Sequence, residues 1–105
     1  IIVEYIYEHE QDITLSTLAQ AFGYSVPHMS KLISSSCGIS FSDILRQIRM
    51  RRATLLLKHT SLTITQIAAE VHCTDTSHFG KNFRKEFHMS PKEYRQLFTT
   101  LQPDN

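Results

Sequence analysis

Apolar residues recur along most of this chain at the three- and four-residue spacing of an amphipathic helix. The first set, Ile2, Tyr5 and Ile6, predicts a helix over about residues 1–9. Five later sets predict helices with these inward residues: Leu15, Leu18, Ala19 and Phe22; Met29, Leu32 and Ile33; Ile64, Ile67, Ala68 and Val71; Phe79, Phe83 and Phe87; Tyr94, Leu97 and Phe98.

Capping residues and glycines predict where several of these helices begin and end. A polar start precedes Leu15, and Gly23 ends that helix. The next helix has Ser25 as N-cap with Pro27 in its first turn, because a hydroxyl satisfies orphan N–H groups and proline has none to lose. It stops at Gly38, and Ser90 followed by proline starts the last helix.

One helix is longer than the others and links the two halves of the chain. It runs from Ser40 to about Lys58, so at 1.5 Å per residue it spans roughly 27 Å. Arginines are interspersed among its apolar residues, which are Phe41, Ile44, Leu45, Ile48, Leu55 and Leu56. Together these elements predict an all-α fold of about seven helices.

The stretch from Thr63 to Pro91 reads as helix, tight turn and second helix. A polar break at residues 73–76 separates two apolar stripes, the second of which consists of phenylalanines. The second helix keeps Ser77, His78 and Lys81 on its other faces. A buried helix followed by one that presents polar and basic side chains predicts a helix-turn-helix with a groove-reading second helix.

The chain contains this unit twice. Residues 14–19 match residues 63–68 at a spacing of 49, and beyond the turn Met29, Lys31 and Ile44 match Phe79, Lys81 and Tyr94 at a spacing of 50. The predicted organisation is a first helix-turn-helix subdomain over residues 1–39, a linker helix over 40–58, a second subdomain over 59–98 and a flexible tail over 99–105.

Charge is distributed unevenly although the formal net charge is only +1. Residues 1–45 carry one basic and five acidic side chains, whereas residues 46–95 carry ten basic and four acidic ones. A basic second half is typical of a surface that faces an anion such as DNA. Two cysteines without a CxxC spacing and no apolar run of membrane-spanning length indicate a cytoplasmic protein.

Metal and enzyme chemistry find little support in the sequence. His72, Cys73, Asp75 and His78 are close in sequence, but no second ligand pair follows at a zinc spacing. A catalytic pair of Cys73 with the neighbouring His72 has no better support. No phosphate-cradling glycine loop or nucleophile elbow occurs, so we expect no enzyme activity, no metal and no cofactor.

The most specific run is SHFGKNFRKEF at residues 77–87, followed by Met89-Ser90-Pro91 and Tyr94-Arg95. With the duplicated motif and a linker that contains Ile44-Leu45, Arg49, Ala53 and Leu56, it resembles the C-terminal DNA-binding domain of the AraC/XylS family of bacterial transcription regulators. The resemblance covers nearly the whole chain. It implies sequence-specific binding of double-stranded promoter DNA, RNA polymerase as a further partner, and a role as an activator. Because the chain opens without Met and in mid-pattern, we expect it to be a fragment, with a sensing or dimerisation domain preceding it as in relatives.

The resemblance also implies which residues meet DNA, since the second helix of each motif enters the major groove in this family. Its base-reading positions correspond here to Pro27, His28, Ser30, Lys31, Thr76, Ser77, His78 and Lys81. Better candidates for phosphate contact are Arg46, Arg51, Arg52, Arg84, Lys85, Lys92 and Arg95. For each of them the alternative is an ordinary solvated surface residue.

Three positions depart from the family pattern. His72-Cys73 replaces the usual Gly-Phe, and His88 stands where a glycine normally ends the recognition helix, so His88 is expected in a left-handed conformation. Serines 34–36 replace common lysines, so we expect the second motif to supply more phosphate attraction than the first. Arg49 lies at a position that the periodic spacing of apolar residues in the linker helix would turn inward. This predicts that its side chain is partly buried and hydrogen-bonded to carbonyls or a carboxylate.

A second function class remains open at this point. The helical surface could serve mainly as a protein-interaction module that meets RNA polymerase or a sensing domain, with DNA binding secondary. The acidic first third of the chain and its serine-rich first recognition helix favour that alternative.

Overall fold

The computed structural model describes the backbone of residues 1–101 and the side chains of residues 1–98. This part of the chain is all-α and has no strand, as predicted. Its helices are α1 (Ile2–Glu8), α2 (Leu15–Phe22), α3 (Val26–Cys37), α4 (Phe41–His59), α5 (Ile64–Glu70), α6 (Thr76–Phe87) and α7 (Pro91–Leu101).

The helices form two compact units, and the boundary between the units falls within α4, after Ile48. In the first unit the fully buried side chains are Ile6, Leu18, Met29 and Ile33. Ile13, Ala19, Ile44, Leu45 and Ile48 complete that core. The α2–turn–α3 motif therefore packs on α1 and on the first half of α4.

Phenylalanines dominate the core of the second unit. Phe79 and Phe83 are fully buried, and Phe87 is half-buried at the end of the same stripe. Tyr94 of α7 packs edge-on against Phe83, with ring centroids 5.5 Å apart. Met50, Ala53, Leu57, Ile67, Ala68 and Val71 form the remainder of this core. The predicted phenylalanine stripe is confirmed.

Side-chain caps hold the starts of both motifs, and the first of them follows the predicted polar start before Leu15. Thr14 accepts a hydrogen bond from the N–H of Thr17 at 3.1 Å, and the Thr17 hydroxyl accepts one from the N–H of Thr14. Thr63 and Gln66 form the same reciprocal box at the start of α5. These boxes satisfy N–H groups that a helix start otherwise leaves without a partner.

Four residues at helix ends adopt the left-handed backbone conformation. Gly23 and Gly38 have φ of 73° and 77°, and His88 has φ of 62°, which confirms the prediction for His88. His72 also has positive φ, at 64°, which the sequence reading did not predict. The internal repeat pairs His72 with Gly23 and His88 with Gly38, so the second unit places histidines where the first has glycines.

One predicted inward position is wrong, because Leu97 is 46% exposed. Leu55, one of the apolar residues of the predicted linker helix, is also exposed, at 53%. Because α4 contributes apolar residues to two cores, its buried positions do not follow a single stripe, and Met50 and Leu57 are buried instead of Leu55. On α7 the inward positions go to Tyr94 and Arg95, which are both half-buried.

The predicted tail over residues 99–105 is described only in part. Helix α7 continues to Leu101, three residues beyond the predicted end of the second subdomain. Residues 102–105 lie outside the described part of the chain.

Candidate nucleic-acid interface

Helix α3 presents the first set of candidate DNA-contacting residues. Ser25 caps the helix by accepting a hydrogen bond from the N–H of His28 at 3.2 Å. Met29 and Ile33 are buried, which fixes the rotation of the helix and leaves its opposite face to solvent. The predicted base readers Pro27, His28, Ser30 and Lys31 are all exposed.

An aromatic residue of the preceding turn packs beside this face. The rings of Tyr24 and His28 lie with their centroids 4.8 Å apart and tilted by 44°. Tyr24 is itself 43% exposed. The contact restricts the His28 ring at the start of the helix, where side chains of a recognition helix approach base edges.

Helix α6 presents the second set in the same manner. Asp75 caps it by accepting a hydrogen bond from the N–H of Ser77 at 2.9 Å. Because the phenylalanines of α6 are buried, the opposite face of the helix is exposed to solvent. The predicted base readers on α6 are all exposed, namely Thr76, Ser77, His78 and Lys81. Exposure is required for a base contact but does not test one, so the eight base contacts stay predictions.

The candidate phosphate-binding cations differ in how exposed they are and in whether they form ion pairs within the protein. Arg51, Lys85 and Lys92 are exposed. Arg84 keeps 62% of its side chain exposed and pairs with Glu93 at 3.2 Å. Arg46 is less exposed and pairs with Asp43 at 2.8 Å. That guanidinium, together with the Ser40 hydroxyl, holds the pKa of Asp43 below its ordinary value.

The guanidinium of Arg95 is directed into the protein, and its predicted phosphate contact stays a prediction. The side chain is half-buried and donates hydrogen bonds to three carbonyls, those of Leu57, Thr60 and Leu62. These carbonyls belong to the end of α4 and the following turn, where helix geometry supplies no donors. The guanidinium of Arg95 therefore joins α7 to the connection between α4 and α5.

Arg52 also contacts the protein itself, and its predicted phosphate contact likewise stays a prediction. Its Nη1 donates to the carbonyl of Glu70 at 2.8 Å, and its Nη2 lies 3.6 Å from the Glu70 carboxylate. The arginine thus binds the last residue of α5, where a cation also complements the helix dipole. Only 28% of its side chain is exposed, so its main contact is with the protein.

Glu93 organises the start of α7. Its carboxylate accepts a hydrogen bond from the N–H of Ser90 at 3.0 Å, and the Ser90 hydroxyl accepts one from the N–H of Glu93. The hydrogen bond from the Ser90 N–H, together with the Ser90 hydroxyl and the nearby Arg84, holds the pKa of the Glu93 carboxyl below its ordinary value. Glu93 also places a negative charge against one of the cations proposed for phosphate contact.

The residues considered for metal or thiol chemistry do not form such a site. Cys73 is half-buried against the second core, and burial raises the pKa of its thiol although the half-buried Arg49 nearby opposes the shift. Cys73 lines a cavity of about 350 Å³ with Thr65, Ala69, His72, Thr74 and Thr76. Within the described residues no group of three or more His, Cys, Asp or Glu could hold a metal ion.

Membrane-spanning helices are also absent from the part of the chain that the structure describes, since none of its helices has the necessary length and apolarity.

The sequence reading missed the inward role of Arg95, but a signal for it was present. Arg95 lies four residues after Pro91 and three before Phe98, which is the spacing of one helix face. Pro91 is buried and Phe98 is half-buried, so an arginine between them belongs to the packed side of α7. No comparable local signal marks Arg52, whose partner lies 18 residues away.

Known proteins share both the sequence pattern and the fold. A family model for a helix-turn-helix domain matches residues 18–97. The lactose operon transcription activator of Staphylococcus xylosus is 36% identical over 91 residues, which cover 87% of this chain and 33% of that protein. A Staphylococcus aureus regulator of the helix-turn-helix type is 35% identical over 95 residues, and the chain spans only 13% of its length.

Two solved structures show the same architecture. The C-terminal domain of AraT, a response regulator from Geobacillus stearothermophilus, is 36% identical and superposes with a TM-score of 0.81, covering 91% of this chain and 81% of that domain. A Chromobacterium violaceum transcriptional regulator with an AraC-type DNA-binding domain is 26% identical with a TM-score of 0.85, covering 98% of this chain and 91% of that one. The chain thus belongs to the AraC-type helix-turn-helix family and is a DNA-binding domain of a transcription regulator.

Proposed function

We propose that the chain binds double-stranded promoter DNA sequence-specifically, with α3 and α6 as recognition helices that enter successive major-groove segments. The observation that carries the proposal is the duplicated presentation of an exposed polar helix face. Each unit buries the apolar side of its second helix, caps the helix start, and leaves the opposite side to solvent. Because both helices lie on one chain, the binding site is asymmetric and not palindromic.

The charges of the two helices suggest different shares of the binding energy. Beyond its first turns α6 carries Arg84 and Lys85, whereas α3 carries serines at the corresponding positions. Cations that contact phosphates raise the affinity for all sequences, while contacts to base edges distinguish one sequence from another. The second unit therefore supplies more of the phosphate attraction, with Arg51 and Lys92 as further exposed donors.

Fluorescence anisotropy on labelled duplexes at several salt concentrations tests this proposal. We expect log K to fall steeply with log salt, because cations that bind phosphates release counterions from the DNA. A flat dependence, or no preference between duplexes, would contradict it.

The same assay tests the division of roles on α6. Lys81→Ala should relax the preference at one base-pair position, whereas Arg84→Ala should weaken binding to every sequence and reduce the salt slope by about one. The two variants remove one cation each from the exposed face of the same helix, so each serves as the control for the other. Equal effects of the two variants on all sequences would contradict the assignment.

We also propose that the regulator containing this chain activates transcription through contact with RNA polymerase. The 36% identical relative that is a transcription activator supports the direction of regulation. Transcription in vitro with purified polymerase, the intact regulator and a promoter carrying the selected site should give more transcript than the promoter alone. A decrease would indicate a repressor, and polymerase binding without DNA would favour the interaction-module alternative.

A further inference from the structure

The two recognition helices have the same side chain at only two positions. Aligned at the repeat spacing of 50, the twelve residues of α3 and the twelve of α6 share only the histidine and the lysine, which are His28 with His78 and Lys31 with Lys81. Both pairs are exposed. The buried pairs have diverged, since Met29 corresponds to Phe79 and Ile33 to Phe83. The common residues are therefore not explained by packing.

The shared residues occupy equivalent places on equivalent helices. Each helix is 12 residues long, starts behind a side-chain cap and ends at a residue in the left-handed conformation. The histidine is the third helical residue and the lysine is the sixth in both cases. Because the buried residues that follow each histidine fix the rotation of the helix, each lysine leaves its helix in the same direction relative to the core of its own unit.

The chemistry of lysine at this position selects one base. An ammonium group has three donors and no acceptor. Guanine offers two acceptors in the major groove, O6 and N7, whereas adenine places a donor amino group beside N7, cytosine presents a donor, and thymine has a methyl group beside its single acceptor. A lysine that reaches base edges therefore favours guanine. The histidine three residues earlier lies on the same helix face and can contact a neighbouring base.

We infer that the two elements of the binding site contain a guanine at a common position, read by Lys31 in one element and by Lys81 in the other. This inference rests on the proposed function. The bases around the guanine differ between the elements, because the neighbouring positions on the two helices differ. Pro27 corresponds to Ser77, and Ser30 corresponds to Gly80. The target is thus a pair of related but unequal elements.

The inference can be tested in two steps. Duplexes that this chain binds are first selected from a random library, and their affinities are then compared by competition binding. The selected sites should contain two guanines at a constant separation. Replacing either one should lower the affinity of the wild type by roughly 5- to 150-fold, the range that a good lysine contact with guanine gives. Lys31→Ala should abolish that preference in one element only, and Lys81→Ala should abolish it only in the other. Lys31→Arg should retain it, because arginine also donates to both acceptors.

A matched control exists on α6. Lys85→Ser removes one cation from the same face and introduces the residue that α3 has at the corresponding position, Ser35. It should weaken all duplexes alike.

If both lysine-to-alanine variants behave as Lys85→Ser does while the wild type still prefers its selected sites, the shared-guanine inference is wrong and the proposed function stands. Selected sites with no guanine, or with only one that responds to these lysines, would also overturn it. A wild type without any sequence preference would overturn the proposed function itself. Circular dichroism of each variant shows whether the fold is retained.

Discussion

Replacing Arg95 by methionine should destabilise the fold, because it removes the guanidinium but keeps an unbranched apolar stem. The guanidinium donates to the carbonyls of Leu57, Thr60 and Leu62, at 3.2 Å from Nε to Leu57 and 3.2 Å from Nη2 to Thr60. Hydrogen bonds from a charged donor contribute about 1.5–3 kcal/mol each when the groups are well buried. Because Arg95 is only half-buried and water can replace part of each bond, we take about 1 kcal/mol per bond. The expected loss in the free energy of unfolding is about 3 kcal/mol.

Urea denaturation followed by circular dichroism measures this loss. Arg95→Lys should recover part of the stability, since an ammonium can reach one or two of the carbonyls but lacks the planar fork. Lys92→Met on the same helix is the matched control. It removes an exposed cation and should change the unfolding free energy by less than about 0.5 kcal/mol.

DNA binding by the same variants distinguishes this role from the phosphate contact first expected of Arg95. An Arg95→Met protein as stable as the wild type but with weaker DNA binding and a shallower salt slope would refute the structural assignment. A stable protein with unchanged DNA binding would show that the three hydrogen bonds contribute nothing measurable.

Two further predictions concern helix ends in the second unit. His88→Gly should raise the free energy of unfolding by about 1 kcal/mol, because a side chain in the left-handed region is strained and glycine is not; a fall in the thermal midpoint would contradict this. Glu93→Gln should change how stability depends on pH. The folded pKa of Glu93 lies below its ordinary value of 4.5, so the charged form stabilises the fold above that pH and the stabilisation is lost as pH falls through the folded pKa. In urea titrations from neutral to acidic pH the wild type should therefore lose more stability than the variant, and parallel curves would count against the assignment.

Local pattern predicts most of this fold because its determinants are close in sequence. The capping boxes involve residues three apart, and the phenylalanine stripe follows a single helix face. The repeat could also have predicted the positive φ of His72, since His72 corresponds to Gly23, which has the same backbone conformation.

The contacts that sequence reasoning missed join residues far apart in the chain. Arg95 reaches carbonyls 33 to 38 residues away, and nothing in the local pattern shows that this arginine is the donor that the carbonyls at the end of α4 receive. Arginine is suited to phosphates and to carbonyls alike, so its residue type does not decide between them. For the base-reading residues the sequence predicts exposure, which the structure confirms, but the contact itself depends on DNA.

Helix α4 contributes side chains to the cores of both units. Ile48 belongs to the first core and Met50 to the second, so Arg49 alone separates residues that serve different units. If the chain were cut near this point, each fragment would keep only half of α4, and the new helix end would lie next to core side chains. Isolated helices of that length are marginally stable in water. A cut between Ile48 and Met50 should therefore destabilise both units, because each would keep only the part of α4 that carries its own core residues.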